Sequence, residues 1–279
     1  MKLKHIFIPF ILALVSGISL RIYQIINGDY KIVSYLCNLE NPSFVLILLL
    51  AVFVLCIIIM LMIKKNELKC EIIQKNTLVA GLAIASGALV CCEGTINIFE
   101  YALGNEDISI VIKGALAVLG GITLLVMGCI YIFGRNLLES ARIATLLPVA
   151  WSTAYLVIIF YQYASISGSK VDKMELAYAM TLLVFLFANA RILSHMSNLQ
   201  TYVELIASGL ALALIVCSYT IPNNIAMIFN QDSINMLDII KDLTKVSLAG
   251  YGLSLAVLAI KNRGIVRVNG NDMRDINAV

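Results

Sequence analysis

Apolar residues fall in runs of about 20 along this chain, and the segments between and beyond the runs hold most of the charge. A run of that length, coiled as a helix, crosses the hydrocarbon core of a bilayer, about 30 Å thick. Eight runs predict eight transmembrane helices, at about 6–26, 44–63, 78–98, 108–133, 144–163, 176–192, 203–221 and 239–260. The second is almost purely aliphatic, and the fifth is the most polar and aromatic, P-V-A-W-S-T-A-Y-L-V-I-I-F-Y-Q-Y. The first follows Met-Lys-Leu-Lys-His, a start that also suits a secretory signal. It runs on through Arg21 into Tyr23 and Ile26 without a small-residue cleavage site, so it is read as a retained helix.

Composition agrees with the pattern. Hydrophobic residues make up 61% of the 279 and charged residues 13%, with a mean hydropathy of +0.93. A soluble domain has about 25% charged residues to coat its surface. The expected class is therefore an all-α integral membrane protein of the cell membrane. The net charge of +3 is spread over short segments and forms no basic stripe, which argues against nucleic acid as a partner. Seven cysteines, mostly inside apolar runs and without C-x-x-C spacing, read as small core residues. The two histidines, His5 and His195, are too few for a multi-histidine metal site. No metal and no cofactor are expected.

Orientation follows from the basic residues, which favour cytoplasmic segments. With the N-terminus inside, 13 of the 20 Lys and Arg lie in inner segments, and both termini are predicted to be cytoplasmic. Residues 263–279 form a hydrophilic cytoplasmic tail, expected to be disordered.

The chain also carries signs of duplication. K-x-x-L-A-x-x-G occurs as Lys113, Leu116, Ala117, Gly120 and again as Lys245, Leu248, Ala249, Gly252. Ala85-Ser86-Gly87 in the third run matches Ala207-Ser208-Gly209 in the seventh. Pro9 and Tyr23-Gln24 in the first run match Pro148 and Tyr161-Gln162 in the fifth. The order of the matches predicts a parallel 4+4 internal repeat, residues 1–140 and 141–262. The first half would carry an insertion at 64–75 inside, and the second an extended outer loop from Thr220 to Ser233. Ala117-x-x-x-Gly121 and Gly250-x-x-x-Ser254 read as small-residue helix contacts, which would make the fourth and eighth helices central.

Charge inside a bilayer is costly, so an intramembrane ionisable group is a functional candidate. Glu93 leads, with Asn97 and Glu100 on the same helix face at i+4 and i+7. Asp238, Asp242 and Lys245 form a charged stripe at i, i+4 and i+7 of the eighth helix. Together with Lys113 these residues make a candidate polar pocket on the outer side. Lys113 and Lys245 are each expected to snorkel outward. Thr153 and Tyr155 are candidate cavity-lining residues, whereas Trp151, Tyr161 and Tyr163 read as interface anchors. Arg191 and His195 read as inner-surface anchors, with Glu204 the partner.

No H-E-x-x-H, Walker A, G-x-G-x-x-G or G-x-S-x-G is present, and no catalytic residue is predicted. The first functional expectation is a small-solute transporter or permease-like subunit, its partners the lipid bilayer, a small-molecule or ion substrate and, in the permease-like case, another subunit. The alternative is a non-transporting membrane sensor or assembly partner. An intramembrane enzyme is disfavoured.

Overall fold

The computed structural model describes residues 7–27, 42–63, 75–103, 108–134, 142–165, 173–194, 196, 198–229 and 236–261. Every regular element among them is helical: α1 (Phe7–Asn27), α2 (Pro42–Ile63), α3 (Thr77–Ala102), α4 (Ile108–Phe133), a 3-10 turn (Arg142–Leu146) into α5 (Leu147–Ser165), α6 (Lys173–Leu193), α7 (Leu199–Ile215), a π turn (Val216–Thr220) into α8 (Ile221–Phe229), and α9 (Met236–Lys261). Six helical spans, those of α3, α4, α5, α6, α7 with α8, and α9, are long and apolar enough to cross a membrane. The described apolar stretches of α1 and α2, Phe7–Tyr23 and Leu50–Ile59, are shorter. The architecture is that of an α-helical multi-pass membrane protein whose apolar outer faces meet lipid. The tail at 263–279, the insertion at 64–74 and His195 lie outside the described residues.

Helices α3, α4, α5, α6, α7 and α9 pack in that order into a ring, which α9 closes by returning to α3. The tightest contact, between α3 and α4, is made by small residues a heptad apart. A Cβ on Gly121 would sit 2.5 Å from Cys91 Sγ and 2.7 Å from the Gly87 carbonyl oxygen. One on Gly94 would meet the Gly114 carbonyl at 2.7 Å, and one on Gly128 the Ala80 carbonyl at 3.1 Å. Ala80, Gly87 and Gly94 therefore face Gly128, Gly121 and Gly114 in antiparallel register. In lipid, where apolar burial gives little driving force, such backbone approach supplies the packing energy. Asn76 adds a polar tie, capping α3 through its side chain and donating its own N–H to the Tyr131 carbonyl at the end of α4. The α7–α9 crossing has the same character, for a Cβ on Gly209 would lie 2.5 Å from the Gly252 carbonyl oxygen.

Helices α1 and α2 lie outside the ring against α7, which is consequently the most buried span. The fourth and eighth predicted spans, α4 and α9, therefore have different surroundings: α4 sits between α3 and α5, α9 between α7 and α3. The seventh span also departs from expectation. It continues as a helix to Phe229, through residues expected to form an outer loop. Pro222 lacks the N–H that an α-helix needs, and the π turn just before it absorbs the mismatch. Arg21 of α1 pins this segment, its Nε donating to Asn223 Oδ1 at 2.9 Å and its guanidinium lying 4.6 Å from the Tyr219 ring centroid.

The half of the ring holding the ends of α4 and α6 is solid. Phe185 and Tyr251 pack edge to face at 5.6 Å, and Asn189 Nδ2 donates to the Tyr251 hydroxyl at 3.0 Å and approaches Met127 Sδ at 3.7 Å. At the surface of this closed half, Arg191 pairs with Glu204 at 3.4 Å. Among the described residues the cysteines are not core positions: Cys56 and Cys92 are exposed, and Cys91, Cys129 and Cys217 are half-buried. A lipid-facing helix surface tolerates a thiol as readily as the interior does.

Candidate functional site

The other half of the ring, where α3 ends and α4, α6 and α9 begin, holds a cavity of about 470 Å³. Five helices line it, each through a stripe set by helical spacing. On α3 these are Glu93, Asn97 and Glu100; on α4, Ile110 and Lys113; on α6, Glu175, Tyr178 and Leu182; on α9, Lys241, Thr244 and Lys245. On α5, Gln162, Ile158, Tyr155 and Trp151 descend the wall by about 16 Å at 1.5 Å per residue, roughly half the hydrocarbon thickness.

A chain of polar contacts joins all five helices across this cavity. Glu93 Oε1 lies 3.2 Å from Lys113 Nζ, both side chains nearly buried. The Lys113 ammonium lies 4.6 Å from the Tyr155 ring centroid, a cation–π contact. Tyr155 donates its hydroxyl hydrogen to Glu175 Oε1 at 3.0 Å. The same Glu175 oxygen is 3.6 Å from Lys245 Nζ, which also bonds Asp242 Oδ1 at 3.1 Å. Ion pairs withdrawn from water persist only where geometry and further hydrogen bonds offset desolvation. Here each lysine has two partners and Tyr155 ties the two centres together. Behind them stands an aromatic wall, with Trp151 stacked on Tyr155 at 6.3 Å and Tyr178 edge-on to Tyr155 at 6.5 Å.

Not all polar groups here are satisfied. Asn97 Nδ2 and Trp151 Nε1 have no hydrogen-bond partner among the described residues, although both side chains are buried, at 4% and 2% exposure. Native proteins pair most such groups.

The structure brings Glu93, Asn97, Glu100, Lys113, Tyr155 and Lys245 onto one cavity, with Asp242 holding Lys245. Five expectations change. Neither lysine snorkels: the Lys113 side chain, 11% exposed, turns inward to Glu93 and Tyr155, and that of Lys245, 19% exposed, turns to Glu175 and Asp242. Trp151 is not an interface anchor but a buried wall residue. Thr153, two residues from Trp151 and so on another side of α5, is exposed and donates to the Val149 carbonyl of its own helix at 2.8 Å. Asp238 stands outside the lining, 57% exposed and 3.8 Å from Lys241. Sequence reasoning missed Glu175, Tyr178 and Lys241. Glu175 is an acidic residue in the first turn of α6, an ordinary helix-start feature. The i, i+3, i+7 spacing of Glu175, Tyr178 and Leu182 was the available signal.

Among the described residues, no group of three or more His, Cys, Asp or Glu could hold a metal ion. Comparison with models of known families, with curated proteins and with solved structures finds no match for the chain.

Proposed function

We propose that the chain is a small-solute transporter or permease-like subunit of the cell membrane, with a polar pocket open to the outside. The observation that carries this reading is the cavity, which is lined by both Glu93 and Lys245 and whose α5 wall from Gln162 to Trp151 covers about 16 Å, roughly half the hydrocarbon thickness. Polar groups at that depth are costly and mark solute pathways. In this reading the chain spans the membrane eight times with both termini inside, because Lys75, Arg142 and Arg191 lie at the closed end and most other basic residues fall in segments on that side. The permease-like form would work with a partner subunit.

A duplicated origin is part of the proposal. Its support is that both crossings are made by small residues, Gly87 on Gly121 and Gly209 on Gly252, although the motif matches Gly252 to Gly120, which faces Pro148 and Trp151 instead. The remaining helices diverge, since α5 and α6 complete the ring while α1 and α2 lie outside it.

The sealed layer of Phe185, Asn189 and Tyr251 favours a second reading, a sensor that binds a ligand from one side only. Proteoliposomes separate the two. Wild-type protein should accumulate at least one solute from a labelled mixture, and Glu93→Gln should lower that uptake at least about tenfold. No uptake by wild type, or equal uptake by the variant, contradicts the transport reading.

A further inference from the structure

We propose that the cavity takes a small zwitterion with an apolar side chain, the chemical class of a free α-amino acid. The inference rests on the cavity being the solute site.

Charge balance is the first argument. The carboxylates of Glu93, Glu100 and Glu175 line the cavity together with the ammonium groups of Lys113, Lys241 and Lys245. A ligand of one sign would leave an uncompensated charge in a site withdrawn from water, which is strongly unfavourable. A zwitterion brings both signs and exchanges partners with the existing pairs without altering the total. Asp242 and Asp238 hold Lys245 and Lys241 from outside the lining and bring the neighbourhood to five carboxylates against three ammonium groups, so a lone anion is the worst fit and a lone cation is the competing ligand that the amine comparison below tests.

The second argument is independent of charge. Trp151 Nε1 is a hydrogen-bond donor and nothing else. Buried beside the cavity without a partner among the described residues, as Asn97 Nδ2 also is, it calls for an acceptor that none of them supplies. A ligand carboxylate supplies two. The ammonium end has acceptors in Glu93 and Glu175 and an aromatic wall in Tyr178 and Tyr155. Ile158, Ile159 and Leu182 form an apolar part of the lining for a side chain. The volume, about 470 Å³, falls in the usual range of about 300–1,000 Å³ for small-ligand sites.

Trp151 is the sole tryptophan, so its emission reports on the cavity directly. Purified full-length protein in detergent is titrated with free L-α-amino acids covering aliphatic, aromatic, polar, acidic and basic side chains. The best of these is then compared with its N-acetyl derivative, an anion only, and its decarboxylated amine, a cation only. The expected result is saturable binding of an aliphatic or aromatic amino acid, at least about tenfold tighter than either derivative. Binding should weaken at least about tenfold in Lys245→Met. Trp151→Phe keeps the ring bulk, and in that variant, followed by calorimetry, affinity should drop severalfold. Failure of every amino acid to bind wild type, or an amine that binds as tightly as its amino acid, overturns the proposal. Amino-acid binding without uptake into proteoliposomes sinks transport and leaves the ligand class standing. Uptake of a solute of another class does the reverse.

Discussion

Lys113 shows how far a single residue can be read from the chain. Its depth followed from its place in the fourth apolar run, and a lysine near a membrane surface ordinarily reaches outward. What the chain could not display is that the α3–α4 crossing, built on Gly94 and Gly114, brings Glu93 to 3.2 Å from its ammonium. Glu93, Asn97 and Glu100 were legible because they lie on one helix and obey its period. Glu175 was not, because its meaning comes from Tyr155 and Lys245 on other helices. A buried pair gives a test at this scale. Removing one partner strands a charge and costs about 3–5 kcal/mol, whereas removing both is close to neutral. Lys113→Met and Glu93→Gln should each lower thermal unfolding in detergent markedly, and the double variant should recover most of the loss. Additive losses would mean that the two side chains do not depend on each other.

For whole helices the chain was informative, since bilayer thickness imposes one length on every span. Seven of the eight runs match helices to within a few residues at each end. The seventh ran past its predicted end because the residues from Thr220 were assigned to an outer loop by the length difference between the repeats, whereas the π turn lets the helix continue through Pro222. Small residues were legible as packing devices, but not which neighbour each one meets. Gly250 was expected to make a close contact, yet its nearest neighbour, Leu82, lies at an ordinary distance, and Gly252 makes the close approach instead. The α3–α4 seam yields a paired prediction. Gly121→Ala places a methyl group inside contact distance of Cys91 and the Gly87 backbone, and should destabilise by about 2 kcal/mol or more. Gly81→Ala, with nothing within 4 Å, should be neutral or stabilising by up to about 1 kcal/mol, since alanine is the better helix former. Equal unfolding temperatures for the two variants would contradict the seam.

At the scale of the molecule, a membrane protein was evident from hydropathy alone, but the ring was not. Ring order depends on which faces of six similar apolar helices meet, and hydropathy is nearly the same on every face. The duplicated motifs suggested two equivalent halves. Glycines make both the α3–α4 and the α7–α9 crossings, but the other helices pack differently in the two halves. That unequal packing leaves one half of the ring hollow and charged and the other half filled by Phe185, Asn189 and Tyr251. Transport requires the filled half to open in turn, so that the cavity meets water from both sides of the membrane. Ile158 lines the cavity and is half-buried, which makes it a suitable reporter. In a background with the native cysteines replaced, Ile158→Cys is treated with a membrane-impermeant thiol reagent, in intact cells and in inverted vesicles. The account predicts labelling from both sides, fast from outside and slower from inside, with Phe185→Cys unreactive from outside. Labelling from one side only, or none from either, would contradict it.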